Sequence, residues 1–141
     1  MAKKLLAALV LVASAGLPIA HAETPISRDA DTVHGVASYY AHKFEGRRTA
    51  SGETFRHAAL TAAHATLPFG TVALITNLAT GKWVVVRITD RLPHKKTLID
   101  LTRTAAEELG MLRAGRIKVK LEVLEPSAAE KLSAREGVEY R

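Results

Sequence analysis

The stretch Trp83–Pro93, WVVVRITDRLP, constrains the fold more than any other part of the chain. Val84, Val85, Val86 and Ile88 supply the β-branched bulk that packs on a pleated surface, so its first half reads as a strand. Side chains alternate along a strand, which puts Val84, Val86, Ile88 and Asp90 on one face and Trp83, Val85, Arg87 and Thr89 on the other. Asp90 falls where the apolar face runs out, and Pro93 then stops the sheet. A carboxylate at the rim of a hydrophobic sheet is partly desolvated, which raises its pKa and lets it hold a proton near neutral pH. The alternative is that Asp90 caps the following turn or pairs with Arg91.

The other segments give a small β domain with polar flanks. Met1–Ala22 has the form of a secretory signal peptide: Lys3 and Lys4, an apolar run Leu5–Ala15, the helix breaker Pro18, and Ala20-His21-Ala22 as a small-x-small cleavage site. Residues 23–34 are polar and aperiodic and read as a linker, with the folded domain spanning 35–125 and a polar tail at 126–141. Gly35–Ala41 is a strand candidate. Its adjacent Tyr39 and Tyr40 point to opposite faces, one toward the core and the other free to act as a sugar-stacking platform. His42–Arg56 is a polar loop long enough to be functional. Leu60–Ala63 is a short strand ending at His64, and Leu67-Pro68-Phe69-Gly70 is a turn.

Thr71–Leu78 and Trp83–Thr89 flank the tight reversal Ala79–Lys82 and form an antiparallel hairpin. Thr102 is the expected N-cap of a helix Arg103–Leu109, with Gly110 at the left-handed C′ position. Asp100, flanked by Ile99 and Leu101, reads as a structural residue near that helix start. Ile117–Val123 alternates with Ile117, Val119, Leu121 and Val123 inward. Pro126–Arg141 fits a short exposed helix or a disordered tail. Strands and turns at this spacing favour a small closed β-barrel, mainly β with one or two short helices, although periodicity does not fix the topology.

Composition excludes several functions. At 141 residues the chain suggests one domain. Removing Lys3 and Lys4 from its 20 basic residues leaves 18 against 14 acidic ones, a net charge of +4. That mild basicity suits a polyanionic cell envelope, whereas the Arg clusters and aromatics of a nucleic-acid reader are missing. With no Cys there is no disulfide, no thiolate metal site, no cysteine nucleophile and no lipid-bearing N-terminal Cys. No histidine pair has metal-ligand spacing, so no metal or other cofactor is expected.

The blocks GVASYYAHKFEGRRTASGETF, LTAAHATLPFGT, ITNLATGKWVVVRITDRLP and LIDLTRTAAEELGM together resemble the rare lipoprotein A (RlpA-like) family of septal-ring lytic transglycosylase-like proteins. The resemblance implies a six-stranded double-psi β-barrel, the fold shared with barwin and expansins, and endolytic cleavage of peptidoglycan glycan strands. Residue by residue, it places the family's functional Asp, His and Glu on Asp90, His64 and Glu53. Tyr39, Tyr40, Arg48, Thr49, Ser51 and Arg91 are the expected substrate contacts beside them. Thr89 and Leu92 stand where the family usually has Asn and Gly, and Glu45 where it often has His. A glycan-binding barrel without catalysis, as in expansins, is the alternative.

Such an enzyme can work with one acid/base, because the 6-hydroxyl of the muramoyl residue is the nucleophile and the product is a 1,6-anhydro sugar. If Glu53 instead lies across the cleft with room for a water, inverting hydrolysis becomes possible. The expected protein is an exported, periplasmic monomer with peptidoglycan glycan strands as its partner, no lipid anchor and no nucleic-acid partner.

Overall fold

A computed structural model describes residues 32–137. The proposed signal peptide, most of the proposed linker and the last four residues lie outside the described residues. Six strands close into one barrel: β1 (Thr32–Tyr39), β2 (Thr61–His64), β3 (Val72–Asn77), β4 (Trp83–Asp90), β5 (Ile99–Leu101) and β6 (Ile117–Leu124). Their order around it is β1-β5-β2-β4-β3-β6. The β1–β5 and β2–β4 pairs are parallel and the other four are antiparallel. Closure leaves no long open edge.

The β3–β4 hairpin forms as its reversal predicts, with Val72 opposite Arg87 and Thr76 opposite Trp83. β1 begins three residues before Gly35, because Thr32–His34 pair with Glu122–Lys120 of β6. The polarity of that segment, which reads as linker, reflects a strand end with one face in solvent.

Ala37, Ile75, Val86, Ile88, Ile99, Leu101, Val119 and Leu121 fill the barrel and are essentially inaccessible. α1 (Arg103–Glu108) closes one side by burying Ala105 and Ala106, followed by Leu109 and Met111. Thr102 caps it as expected: its Oγ1 accepts from Ala105 N at 3.4 Å and donates to Ala59 O at 2.6 Å. The other end is fixed by Asn77, whose Nδ2 donates to Leu109 O at 3.1 Å, and by Gly110 at φ 71°. The C-terminal segment contains α2 (Pro126–Glu136), and it is not wholly exposed, since Ala128 and Ala129 are buried. Among the described residues no helix is long and apolar enough to cross a membrane.

Two further features differ from the sequence-based expectation. Residues 47–55 are not structureless: Phe55 N donates to Arg47 O, Thr49 N to Glu53 O, and Gly52 N to Thr49 O, which makes a small hairpin. Gly52, at φ 91°, supplies the left-handed residue its turn requires. The second difference is in β4. Ala62 pairs with Ile88 but Ala63 pairs with Asp90, so β4 spends two residues where β2 spends one. This bulge at Thr89 breaks the simple alternation and turns Asp90 away from the face of Ile88, onto the outer side shared with Ala63.

Candidate active site

The bulge builds a row of outward-facing residues across four strands. Ser38 of β1 pairs with Asp100 of β5, Asp100 with Ala63 of β2, and Ala63 with Asp90 of β4. Two carboxylates therefore flank an alanine. Adjacent strands are about 4.8 Å apart, so the two backbone positions stand on the order of 10 Å apart across Ala63. The small methyl group leaves the floor between them low. Above it lies an open cleft of about 480 Å³, walled by Tyr40, Phe44 and Phe55 on one side and by Arg91, Leu92, Pro93 and His94 on the other. Arg47, Arg48 and Thr49 also line it.

Asp90 is held from three directions. The Tyr40 hydroxyl donates to its Oδ2 at 2.6 Å, while Ala50 N and Arg91 N each donate to Oδ1 at 2.9 Å. The 47–55 hairpin reaches it because Ser51 N donates to Thr89 O, which bonds the hairpin to the bulge itself. Of the two alternatives for Asp90, the turn cap holds and the ion pair does not: Asp90 accepts the backbone N–H of Arg91, but the Arg91 guanidinium lies over the Phe69 ring, 4.0 Å from its centroid.

Tyr40 stacks at 4.4 Å from Phe55 and 5.6 Å from Phe44. Burial, then its bond to Asp90 and the charges of Asp90 and Asp100, hold its phenol far above the usual tyrosine range, so it serves only as a neutral donor.

A desolvated carboxyl stands in the same row beyond Ala63, at Asp100. Burial pushes Asp100 above the ordinary carboxylate range and the charge of Asp90 adds to this, while the Ser38 hydroxyl, donating at 3.1 Å, and His94 oppose it. Asp100 is thus a cleft residue rather than a purely structural one. Its hydrophobic flanks concealed this, because alternation on a three-residue strand buries Ile99 and Leu101 and sends Asp100 outward. Phe44 and Phe55 carry no such signal in the sequence, since nothing in a polar loop marks isolated aromatics as a wall.

The remaining expected site residues divide. Tyr40, Arg48, Thr49 and Arg91 line the cleft with Asp90. Ser51 supports it from behind, its hydroxyl 3.0 Å from that of Thr49. Tyr39 does not reach it: it packs against the barrel core and donates its hydroxyl to Leu112 O at 3.1 Å.

Glu53 is not across the cleft from Asp90. Both of its oxygens accept from Arg87 Nη1 at 3.0 Å, so the carboxylate braces the hairpin against β4. His64 pairs with Ile99, on the opposite side of β2 from Ala63. Its Nδ1 accepts from Thr66 N and Leu67 N, both at 3.1 Å, and burial followed by the Arg91 charge lowers its pKa. His64 is therefore a neutral residue that organises the β2–β3 turn and touches Arg91 through its carbonyl at 3.4 Å. Among the described residues no cluster of three or more His, Cys, Asp or Glu side chains could hold a metal ion.

A protein-family model described as lytic transglycolase matches residues 32–121. An endolytic peptidoglycan transglycosylase RlpA from Haemophilus influenzae is 50% identical over 91 residues, covering 64% of this chain and 32% of that protein. One from Neisseria meningitidis is 38% identical over 117 residues, covering 82% of this chain and 49% of that protein. The chain thus spans a third to a half of the length of these relatives. Among solved structures, the Streptomyces papain inhibitor aligns with a TM-score of 0.55 at 20% identity, covering 67% of this chain and 94% of that one. A Clavibacter michiganensis expansin aligns with a TM-score of 0.54 at 21% identity, covering 67% and 51%. These two structures share the fold. By the match over residues 32–121, which reaches all six strands, the chain belongs to the RlpA-like lytic transglycolase family of double-psi β-barrel proteins.

Proposed function

We propose that this protein is an endolytic lytic transglycosylase that cleaves peptidoglycan glycan strands and leaves 1,6-anhydromuramoyl ends. The observation that carries this reading is the pairing of an aromatic wall with a carboxylate floor in one open cleft: Tyr40 and Phe44, backed by the buried Phe55, beside Asp90 and Asp100. Aromatic faces hold pyranose rings by apolar contact, and the carboxylates meet the polar edge where a glycosidic bond would lie. Arg48, Thr49 and Arg91 contact the strand, and Asp90 takes the proton of the attacking 6-hydroxyl. Glu53 and His64 are positioning residues, acting through Arg87 with the 47–55 hairpin and through Arg91 with the β2–β3 turn.

The protein acts after export to the periplasm, with Met1–Ala22 removed, as a monomer. The names of the relatives support action on the cell wall, and the form of the N-terminus supports export.

Mass spectrometry of purified glycan strands incubated with the mature protein and with Asp90→Asn tests the reading. Anhydromuramoyl products from the wild type alone are expected. Reducing ends would mean hydrolysis. Strands that stay intact but are retained in a pull-down would mean a binding barrel, in which Leu92 on the cleft wall blocks productive approach.

A further inference from the structure

The outer side of β4 carries a second groove, at the end of the strand far from Asp90. Val84, Val86 and Ile88 belong to the barrel core, so Trp83, Val85 and Arg87 face outward. Trp83 and Asp90 stand at opposite ends of β4, about 20 Å apart at the rise of a β-strand. Between the β3–β4 reversal, the end of α1 and α2, the surface opens into a groove of about 440 Å³. Partly buried Trp83, buried Val85 and Leu132 of α2 give it an apolar lining, while exposed Lys82 and Glu108 form a polar rim.

The rim shows what the groove can hold. Lys82 and Glu108 come from different elements and carry opposite charges, yet among the described residues neither has an ionic partner. Lys82 is nonetheless seated: its stem lies against the bare backbone of Gly110, with Cδ 3.1 Å and Nζ 3.4 Å from where a Cβ would stand. Thr80, on the same rim, accepts from Lys82 N at 3.2 Å through its Oγ1, which leaves its hydroxyl proton free to donate.

One charge of each sign gives no net attraction to an anionic or a cationic ligand. A donor and an acceptor side by side suit the hydroxyl and N-acetyl groups of a neutral sugar instead. Pyranose rings also present an apolar face, which an indole meets with the largest apolar plate of any side chain. An extended peptide would need a free strand edge to pair with, and the closed barrel offers none beside the groove.

We propose that the Trp83 groove is a second glycan-binding site, holding a stretch of N-acetylated, β-1,4-linked sugars away from the Asp90 cleft. That the polymer is peptidoglycan rests on the transglycosylase reading above. The consequence is avidity: a strand held at the groove is presented to the cleft at a raised local concentration, so long strands gain over short oligomers with no change in the chemical step.

Trp83 is the one tryptophan of the chain, so tryptophan fluorescence reports on this groove. Titrating the purified protein with tetra-N-acetylchitotetraose, a neutral saccharide of this class, is expected to change the emission saturably at millimolar concentrations. The double variant Lys82→Ser with Glu108→Gln alters only exposed positions and keeps the reporter. It is expected to weaken the response about tenfold or more, the scale on which loss of anchoring contacts is felt. Phe44→Ala, which removes a ring from the Asp90 cleft, is expected to leave the response unchanged. On long glycan strands the double variant is expected to raise KM with kcat unchanged.

An emission that saccharide does not move, a response lost in Phe44→Ala and kept in the double variant, or an unchanged KM on strands overturns the proposal. So does an emission that follows protein concentration instead, which would seat a second copy in the groove. Anhydromuramoyl products without a fluorescence response strike the groove alone. A groove response without such products leaves the glycan site standing and strikes the transglycosylase reading.

Discussion

Tyr40 and Asp90 lie 50 residues apart in sequence and are joined by a 2.6 Å hydrogen bond from the phenol to Oδ2. This bond links the aromatic wall of the cleft to its floor, so ring and carboxylate meet a substrate as one unit. Tyr40→Phe keeps the ring between Phe44 and Phe55 and removes only the donor. A hydrogen bond to a charged group contributes about 1.5–3 kcal/mol. Turnover on glycan strands is therefore expected to fall on the order of tenfold or more with KM little changed, as steady-state kinetics would show. A raised KM at unchanged kcat would make Tyr40 a binding residue only.

Asp100 gives stability a sign that can be measured. Its folded pKa is raised by burial, so the native state binds more protons than the unfolded chain as pH rises above the ordinary Asp value of 3.8. The contribution is most favourable below that pH and is lost as pH climbs through the folded pKa. Asp100→Asn is therefore expected to melt higher than wild type at pH 7, with the difference closing toward pH 3.5. Thermal melts across this range check it. A destabilised Asp100→Asn at pH 7 would contradict it.

Histidine 64 predicts the opposite limb. Its folded pKa is lowered, first by burial and then by Arg91, from an ordinary value of 6.5. The native state then binds fewer protons than the unfolded chain, so stability is lost as pH falls below 6.5 through the folded pKa. Between pH 7 and pH 5 the melting temperature of wild type should drop more than that of His64→Gln. His64→Ala leaves Thr66 N and Leu67 N without their acceptor and should cost about 1–3 kcal/mol in urea unfolding at pH 7.

Glu53 and Arg87 should behave as one device. Both Glu53 oxygens face Arg87 Nη1 at 3.0 Å, and neither points into the cleft. Arg87→Met is therefore expected to reproduce the activity loss of Glu53→Gln, and the double variant should lose no more than either alone. The ion pair is partly exposed, so its coupling in unfolding cycles should be about 1 kcal/mol or less. Additive losses of activity would instead give Glu53 its own contact with substrate.

Gly35 of β1 packs against Leu98, the residue just before β5. A Cβ built there would lie 2.7 Å from Leu98 Cβ, a contact that must push the backbone apart. Gly35→Ala should destabilise the barrel by about 1–3 kcal/mol. Adding Leu98→Ala should not restore it, because the clash is with a Cβ that alanine retains. Denaturant unfolding of the three proteins measures this.

Local chemistry determined much of this protein. The β-branched run at Val84–Ile88, the reversal at Ala79–Lys82 and the alternation of Ile117–Val123 specify strands and a hairpin. Thr102 and Gly110 bracket α1, because capping and left-handed backbone are properties of single residues. The blocks that resemble a family gave the barrel, and with it Asp90.

What the sequence could not determine depends on register between strands distant in the chain. The bulge at Thr89 is a mismatch between β4 and β2, and without it alternation sends Asp90 to the wrong face. Asp100 became a cleft residue only when the pairing of β5 with both β1 and β2 fixed its direction and burial. Likewise, Glu53 is a brace because of where Arg87 emerges on β4, and His64 is a turn organiser because β2 has already spent its outward position on Ala63. Residue type sets what a carboxylate or imidazole is able to do. The closed barrel decides which neighbours it meets, and so which of those things it does.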